Sequence, residues 1–273
     1  MSQGGFKINK QGDIIYFTVQ NFTEQGGVLH AFSSRHGGVS SPPFASLNLG
    51  FHTGDEAGAV KENRRRFCSA LGIDAGEPVT AEQVHADRVQ VVTASRAGAG
   101  ALDLTGSFPG TDAMITRDKV ALMAFFADCV PLLIYDPGQK AVGVAHAGWQ
   151  GTVLEVGRRT VEAMAREFGS NPADCLVGIG PSIGPCCYEV DKPVVEKVKS
   201  SFSYWQDLVE EKGPGHWNLD LWEANRQSLI EAGVPAENIA VSGMCTRCNQ
   251  DMLFSYRGEK GVTGRLAAII RLI

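Results

Sequence analysis

No hydrophobic run in this sequence is long enough to cross a membrane. A spanning helix needs about 18 consecutive apolar residues, and the longest run, Val120–Ala127, stops at Asp128. Nor is there a basic segment followed by an apolar one at the start. Met1–Asp13 is polar and glycine-containing, which argues against a secretory signal. Excess charge is small, −5 net, so bulk electrostatics favours neither nucleic acid nor an anionic bilayer as a partner. There is no internal repeat and no low-complexity tract. Histidine is scarce, with six residues, and cysteine is odd in number, with seven. Scattered cysteines in a chain of 273 residues do not make a disulfide framework. They fit a reducing cytoplasm, where thiols serve as core residues, metal ligands or reactive groups. The expectation is a cytoplasmic protein that binds neither membrane nor nucleic acid.

Apolar residues make up 44% and charged residues 20%, enough for an ordinary globular core. Runs rich in β-branched and aromatic residues predict strands at Asp13–Val19, Val28–Ser33, Val79–Val84, Arg88–Val92, Ala113–Ile115, Leu122–Ala127, Pro131–Tyr135, Ala141–Ala145, Cys175–Ile179, Ile239–Ser242 and Leu266–Leu272. Helical spacing predicts Glu56–Leu71 with Asp55 as its cap, and a strong apolar stripe over Thr152–Phe168. It also predicts a helix from Asp191 through Lys199, and Asp220–Ala232 ended by Gly233. Arg35–Asp55 and Ala97–Pro109 read as long loops, the kind that carry function in a compact domain. Hairpin turns such as Asp136-Pro137-Gly138 mix with strand–helix–strand units, and no linker is visible. The fold class expected is α+β: one domain over 1–273, of mixed β-sheets packed with helices.

Three chemistry-bearing residues fall at predicted strand ends: His85 in "EQVHAD", Cys129 in "FFADC" and His146 in "VGVAHAGW". Thiolate and imidazole are borderline-soft ligands that suit Zn²⁺, and three protein ligands leave a fourth position open. The alternative is three unrelated buried side chains, since these ligands are not paired locally as in short zinc motifs. In "HAGWQGT", glycines at 148 and 151 permit close backbone approach and a helix follows, which suits an anion. Arg35 and Arg64 would add charge from the long loop and the helix after it. Arg35, Asn48, Arg64, Gly148 and Gln150 are the candidate substrate-binding residues. The pair Cys245 and Cys248 in "GMCTRCN" has no second such pair to complete a zinc ribbon. Adjacent Cys186 and Cys187 are poorly placed to share one ion, so these four read as packed or incidental thiols. "GIGPSIGP" departs from the dinucleotide-loop spacing and opens no helix.

The ordered set "RHGGVSSPPFASLNLG", "EQVHADRV", "ADCVPLLIYD", "VAHAGWQGT", "GIGPSIGPCCYEV", "CTR", "FSYR" and "TGR" resembles the laccase-domain family, also called YfiH-like or polyphenol-oxidase-type, and within it the YlmD-type members. The resemblance covers nearly the whole chain. It implies a mixed α/β fold related to cysteine-hydrolase-like toxins and a zinc-dependent purine nucleoside phosphorylase. Such enzymes act on adenosine, inosine and 5′-methylthioadenosine, with adenosine deaminase activity besides. The family's metal site falls on His85, Cys129 and His146. Family members often carry arginine where this chain has Gln150, and many carry another where it has Gly258. Phosphate would then fall to Arg35, Arg64, Arg257 or Arg265.

Three other readings follow from the same residues. The family name implies copper oxidation of phenols, with Cu²⁺ at the same ligands, although six histidines are too few for a multicopper centre. A cysteine hydrolase would use Cys129 as nucleophile with His85 or His146 as base. A non-catalytic role in cell-wall editing is the last. Glu82 and Asp128 are the candidate proton carriers, and a homodimer is the expected assembly.

Overall fold

Two six-stranded sheets stack face to face, and each carries helices on its outer side. The computed structural model describes residues 2, 3 and 5–273. The first sheet is antiparallel. In spatial order its strands are Ser2–Gln3, Phe6–Gln11, Ile14–Val19, Val28–Ser33, Leu266–Leu272 and Leu122–Phe126. The second is mixed, in the order Ile239–Val241, Leu176–Ile179, Val130–Asp136, Ala141–Ala147, Ala113–Thr116 and Val89–Val91. Its edge pairs are parallel and its inner pairs antiparallel. A small third sheet joins Glu189–Asp191, His216–Leu219 and Val209–Gly213. This is the expected α+β arrangement of mixed sheets with helices.

Period-2 alternation explains why the central strands read as unbroken apolar runs. In Leu266–Leu272, Leu266, Ala268 and Ile270 enter the core between the sheets, while Ala267 and Ile269 face the helix Ala57–Ala70 through Phe67 and Cys68. In Val130–Asp136, Leu133 and Tyr135 face the first sheet. Val130, Leu132 and Ile134 pack beneath the helices Val156–Phe168 and Leu221–Glu231. A strand covered on both faces has no polar side to show.

Several boundaries differ from expectation. The predicted helix Thr152–Phe168 is two helices, Trp149–Val153 and Val156–Phe168. Glu155 breaks it with φ of 56°, its carboxylate accepting from Ser228. Apolar Val153 and Val156 continue one stripe across the break, which hid it. The predicted strand Val79–Val84 makes only single bridges at Val79 and Ala81. There the Gln83 side chain takes the place of strand pairing, donating to Phe125 O at 2.8 Å and accepting from Phe125 N at 2.9 Å. Asp55 does not cap the helix Ala57–Ala70, whose cap position is Glu56. Instead Asp55 accepts from Ser40 and Asn48. Asp191 and Asp220 cap their helices through Val194 N and Glu223 N, and Gly233, at φ 97°, follows the last turn. Among the described residues no helix is long and apolar enough to cross a membrane.

Candidate metal centre and active site

His85, Cys129 and His146 converge. One donor atom from each lies within 4.8 Å of the others, with Cys129 Sγ 3.7 Å from His85 Nε2. The two imidazole rings meet edge to face at 4.8 Å. His146 sits in the strand Ala141–Ala147 in phase with Val142 and Val144, so it points between the sheets, where it packs on Phe126 at 5.4 Å. Cys129 enters from the start of Val130–Asp136. His85 comes from the turn after Gln83. The backbone is left-handed at His85 (φ 63°) and at Asp128 (φ 82°), a conformation that non-glycine residues adopt at a cost and that clusters at working sites.

Asp112 assembles this trio. Its Oδ1 accepts from His146 Nδ1 and from the His85 amide, both at 2.9 Å. Its Oδ2 accepts from the amides of Val84 at 3.1 Å and Ala86 at 2.8 Å. Three successive amides of the His85 turn thus close on one carboxylate, and the same carboxylate fixes the ring of His146. Burial opposes the charge on Asp112, but the hydrogen bonds from His146 and these amides outweigh it and hold its pKa low. Sequence reasoning missed this residue. The signal was an acid at the entry of a buried strand, in "TDAMIT".

Without an ion, Cys129 and His146 titrate as a pair. Burial disfavours charge on each, yet mutual attraction and their hydrogen bonds draw the Cys129 thiol down to about 6 and lift His146 to about 9, with Asp112 contributing to the latter. The donor chemistry fits a zinc-class cation: one thiolate and two imidazoles, at separations close to the roughly 3.5 Å edge of a tetrahedral S/N site. The backbone leaves room as well. A Cβ on Gly148 would fall 2.8 Å from His85 Cδ2 and 3.0 Å from Cys129 Sγ.

The trio opens on a cavity of about 830 Å³, within the range that holds a nucleoside-sized ligand. Its wall also carries Arg64, Arg265 and His52. Arg64 is buried. Its Nε donates to Leu49 O, its Nη1 to the carbonyls of Gly100 and Ala101, and its Nη2 has no partner. Phe51 and Phe125 stack against its guanidinium at 4.3 and 4.4 Å. Burial lowers its pKa to about 9, which still leaves a cation at neutral pH. Burial, then repulsion from Arg265 and Arg64, pushes His52 down to about 4. That wall is therefore positive, with a neutral imidazole. Leu104 and Ser107 of the glycine-rich loop, with Phe125, Tyr256 and Glu82, also line it.

The other residues singled out from sequence have different places. Arg35 is drawn off the cavity: it pairs with Glu259 at 3.1 Å, donates to Ala45 and Gln250 carbonyls, and stacks on Phe254. Asn48 is fully buried and ties the long loop together through Gly50, Thr53 and Asp55. Gln150 is exposed on a helix of five residues. A short helix does start after Gly148, while the long helix expected there begins only at Val156. Gly148 itself abuts the trio. Arg257 donates its side chain to Glu189 O, away from the cavity. Asp128 forms a latch. Its oxygens accept from Thr246 Oγ1 at 2.6 Å, Ser255 Oγ at 2.8 Å and Arg257 N at 2.6 Å.

The reading of the remaining cysteines is also corrected. Cys186 and Cys187 meet Cys245 and Cys248 in one cluster. The pairing across the chain, from 186 to 248, was not legible in local spacing.

A soft donor trio and a buried cation lining one cavity suit a small-molecule enzyme able to bind a metal. The chain belongs to the family described as multi-copper polyphenol oxidoreductase laccase, which matches residues 29–273. It is 42% identical over 246 residues to purine nucleoside phosphorylase YlmD of Geobacillus stearothermophilus, covering 89% of this chain and 90% of that one. The crystal structure of YlmD from Geobacillus stearothermophilus superposes with a TM-score of 0.92 at 39% identity, over 97% and 98% of the two chains. Adenosine deaminase RL5, from an unknown prokaryotic organism, is 34% identical over 84% of this chain and 88% of its own length.

Proposed function

We propose that this enzyme is a zinc-dependent purine nucleoside phosphorylase, acting on adenosine, inosine and 5′-methylthioadenosine, that also deaminates adenosine. The observation that carries the reading is Arg64: a buried guanidinium with an unpartnered Nη2, lining the same cavity as the His85, Cys129 and His146 donors. Phosphate is the nucleophile in phosphorolysis, and an enzyme for that reaction needs a fixed cation on the nucleophile's side. The names of the relatives point the same way.

The residues divide the work. Arg64 and Arg265 hold phosphate against the sugar carbon, while Phe125 and Tyr256 supply apolar surface for the nucleoside. Phosphate oxygen bonds to C1′ as the C1′–N bond breaks, and the base departs with the electron pair and takes up a proton. Glu82 is the acid in the cavity lining available to move that proton. His85, Cys129 and His146 would hold the ion, oriented by Asp112. When bound, zinc supplies Lewis acidity at that end of the cavity. A cytoplasmic setting, where thiols stay reduced, goes with this reading.

The test incubates wild-type, Cys129→Ala and His146→Ala proteins with inosine and phosphate. Hypoxanthine and ribose 1-phosphate are expected from the wild type, with the rate reduced by roughly 100-fold or more in the variants. Hypoxanthine release at the wild-type rate by either variant contradicts the reading. Anomalous scattering at His85, Cys129 and His146, in protein produced without added copper, separates zinc from copper.

A second reading has one specific observation in its favour. Asp112, His146 and Cys129 also have the order of an orienting acid, base and nucleophile. A cysteine hydrolase would alkylate at Cys129 equally before and after chelation. Under the zinc reading, chelation speeds it.

A further inference from the structure

Outside the cavity just described, four sulfurs from two distant segments converge. Cys186 and Cys187 follow the turn at Gly184, whose carbonyl accepts from the amides of Cys187 and Tyr188. Cys245 and Cys248 lie on a turn closed by Asn249 N on Cys245 O. The two segments are stitched together by Ser182, whose amide donates to Met244 O and whose carbonyl accepts from Thr246 N. Gly184 permits the approach, since a Cβ there would fall 3.2 Å from Cys245 Cβ. All four sulfurs lie within 4.8 Å of one another. Cys248 Sγ is 3.6 Å from Cys186 Sγ and 3.5 Å from Cys187 Sγ. A tetrahedral ion with metal–sulfur bonds near 2.3 Å needs sulfurs about 3.8 Å apart.

We propose that Cys186, Cys187, Cys245 and Cys248 form a second metal site that takes one soft divalent cation of the zinc class. Adjacency of Cys186 and Cys187 is no obstacle, because both reach the same third sulfur. Four protein ligands fill a tetrahedron and leave no open position, the signature of a structural rather than a catalytic ion. The ion would clamp the segment around 182–188 to that around 244–249. The latter carries Thr246, which donates to Asp128 beside Cys129. The clamp therefore braces the latch at the edge of the first site without entering it.

The test uses Cys129→Ala protein, in which the first site has lost a ligand. Metal-free protein is titrated with Co²⁺ alone and followed by absorption. One equivalent is expected, with the intense thiolate-to-cobalt bands of a tetrahedral sulfur site, and these disappear when Cys186→Ser and Cys245→Ser are added. No such bands in Cys129→Ala protein, or bands unchanged by the added substitutions, overturn the proposal. Unmutated protein as purified gives an independent measurement should the multiple variant not fold. Cys186, Cys187 and Cys248 are expected to react with dithionitrobenzoate only after chelation. Immediate reaction of all three, or a Cys187–Cys248 disulfide in mass spectra, overturns it.

Discussion

Asp112 Oδ1 lies 2.9 Å from His146 Nδ1, and the same oxygen accepts the amide of His85. One carboxylate therefore sets the tautomer of one candidate ligand and the backbone of another. His146 must then present Nε2 to the cavity. Its own strand gives it a rigid base, and the turn of His85 is closed onto that base by Asp112.

Asp112→Asn is expected to weaken metal binding and lower kcat by roughly 10–100-fold. The amide replaces an acceptor with a donor, which then faces either the His146 and His85 N–H groups or those of Val84 and Ala86. Zinc competition with a chromophoric chelator, beside steady-state kinetics, checks it. Unchanged affinity would remove Asp112 from the account.

Gly148→Ala is expected to damage the site while sparing the fold. Glycine is not required there by dihedral angle, since φ is −65°. The cost is local, because the new methyl would press on His85 and Cys129 at 3.0 Å or less. A melting temperature close to wild type with metal content well below one equivalent at the trio is the expected result, read in a Cys245→Ser background so that the thiol cluster does not contribute.

Arg64→Lys keeps the charge and loses the fork. Its three donated hydrogen bonds to Leu49, Gly100 and Ala101 carbonyls need the planar group. KM for phosphate is expected to rise about tenfold or more, with KM for inosine changed less. An equal rise in both would assign Arg64 to loop packing alone.

Much of this was legible in the sequence and some was not, for physical reasons. Strands buried on both faces, such as Val130–Asp136, announce themselves as apolar runs. Asp191, Asp220 and Gly233 mark helix ends through local hydrogen bonding and backbone freedom. The trio was named from residue type and strand-end position. Asp112 left a faint local mark, an acid at the entry of a buried strand, but what it joins, like the place of His52 and the convergence of Cys186 with Cys248, depends on which loops meet in space. Arg35 and Arg64 looked equivalent in sequence. What separates them is Glu259, distant in the chain, which neutralises one and leaves the other facing the cavity.

Acid should weaken the fold partly through His30. This residue is buried between Phe22 and the strand Ile14–Val19, its Nε2 accepting from Val19 N at 2.8 Å. Burial lowers its pKa from 6.5 to about 4. The unfolded chain therefore takes a proton near pH 6.5 that the folded chain refuses until about pH 4. The contribution to stability is complete above 6.5 and is lost as pH falls towards 4, by up to about 3 kcal/mol. Urea unfolding at a series of pH values should show a shallower acid decline in His30→Gln than in the wild type.

The most direct measurement is an anomalous-scattering map from crystals of protein purified without added metal or chelator, collected on both sides of the zinc edge. A zinc peak is expected about 2.3 Å from Cys129 Sγ and about 2.0–2.1 Å from one nitrogen each of His85 and His146. A map with no peak between these side chains, or with the ion held by other residues, would contradict it.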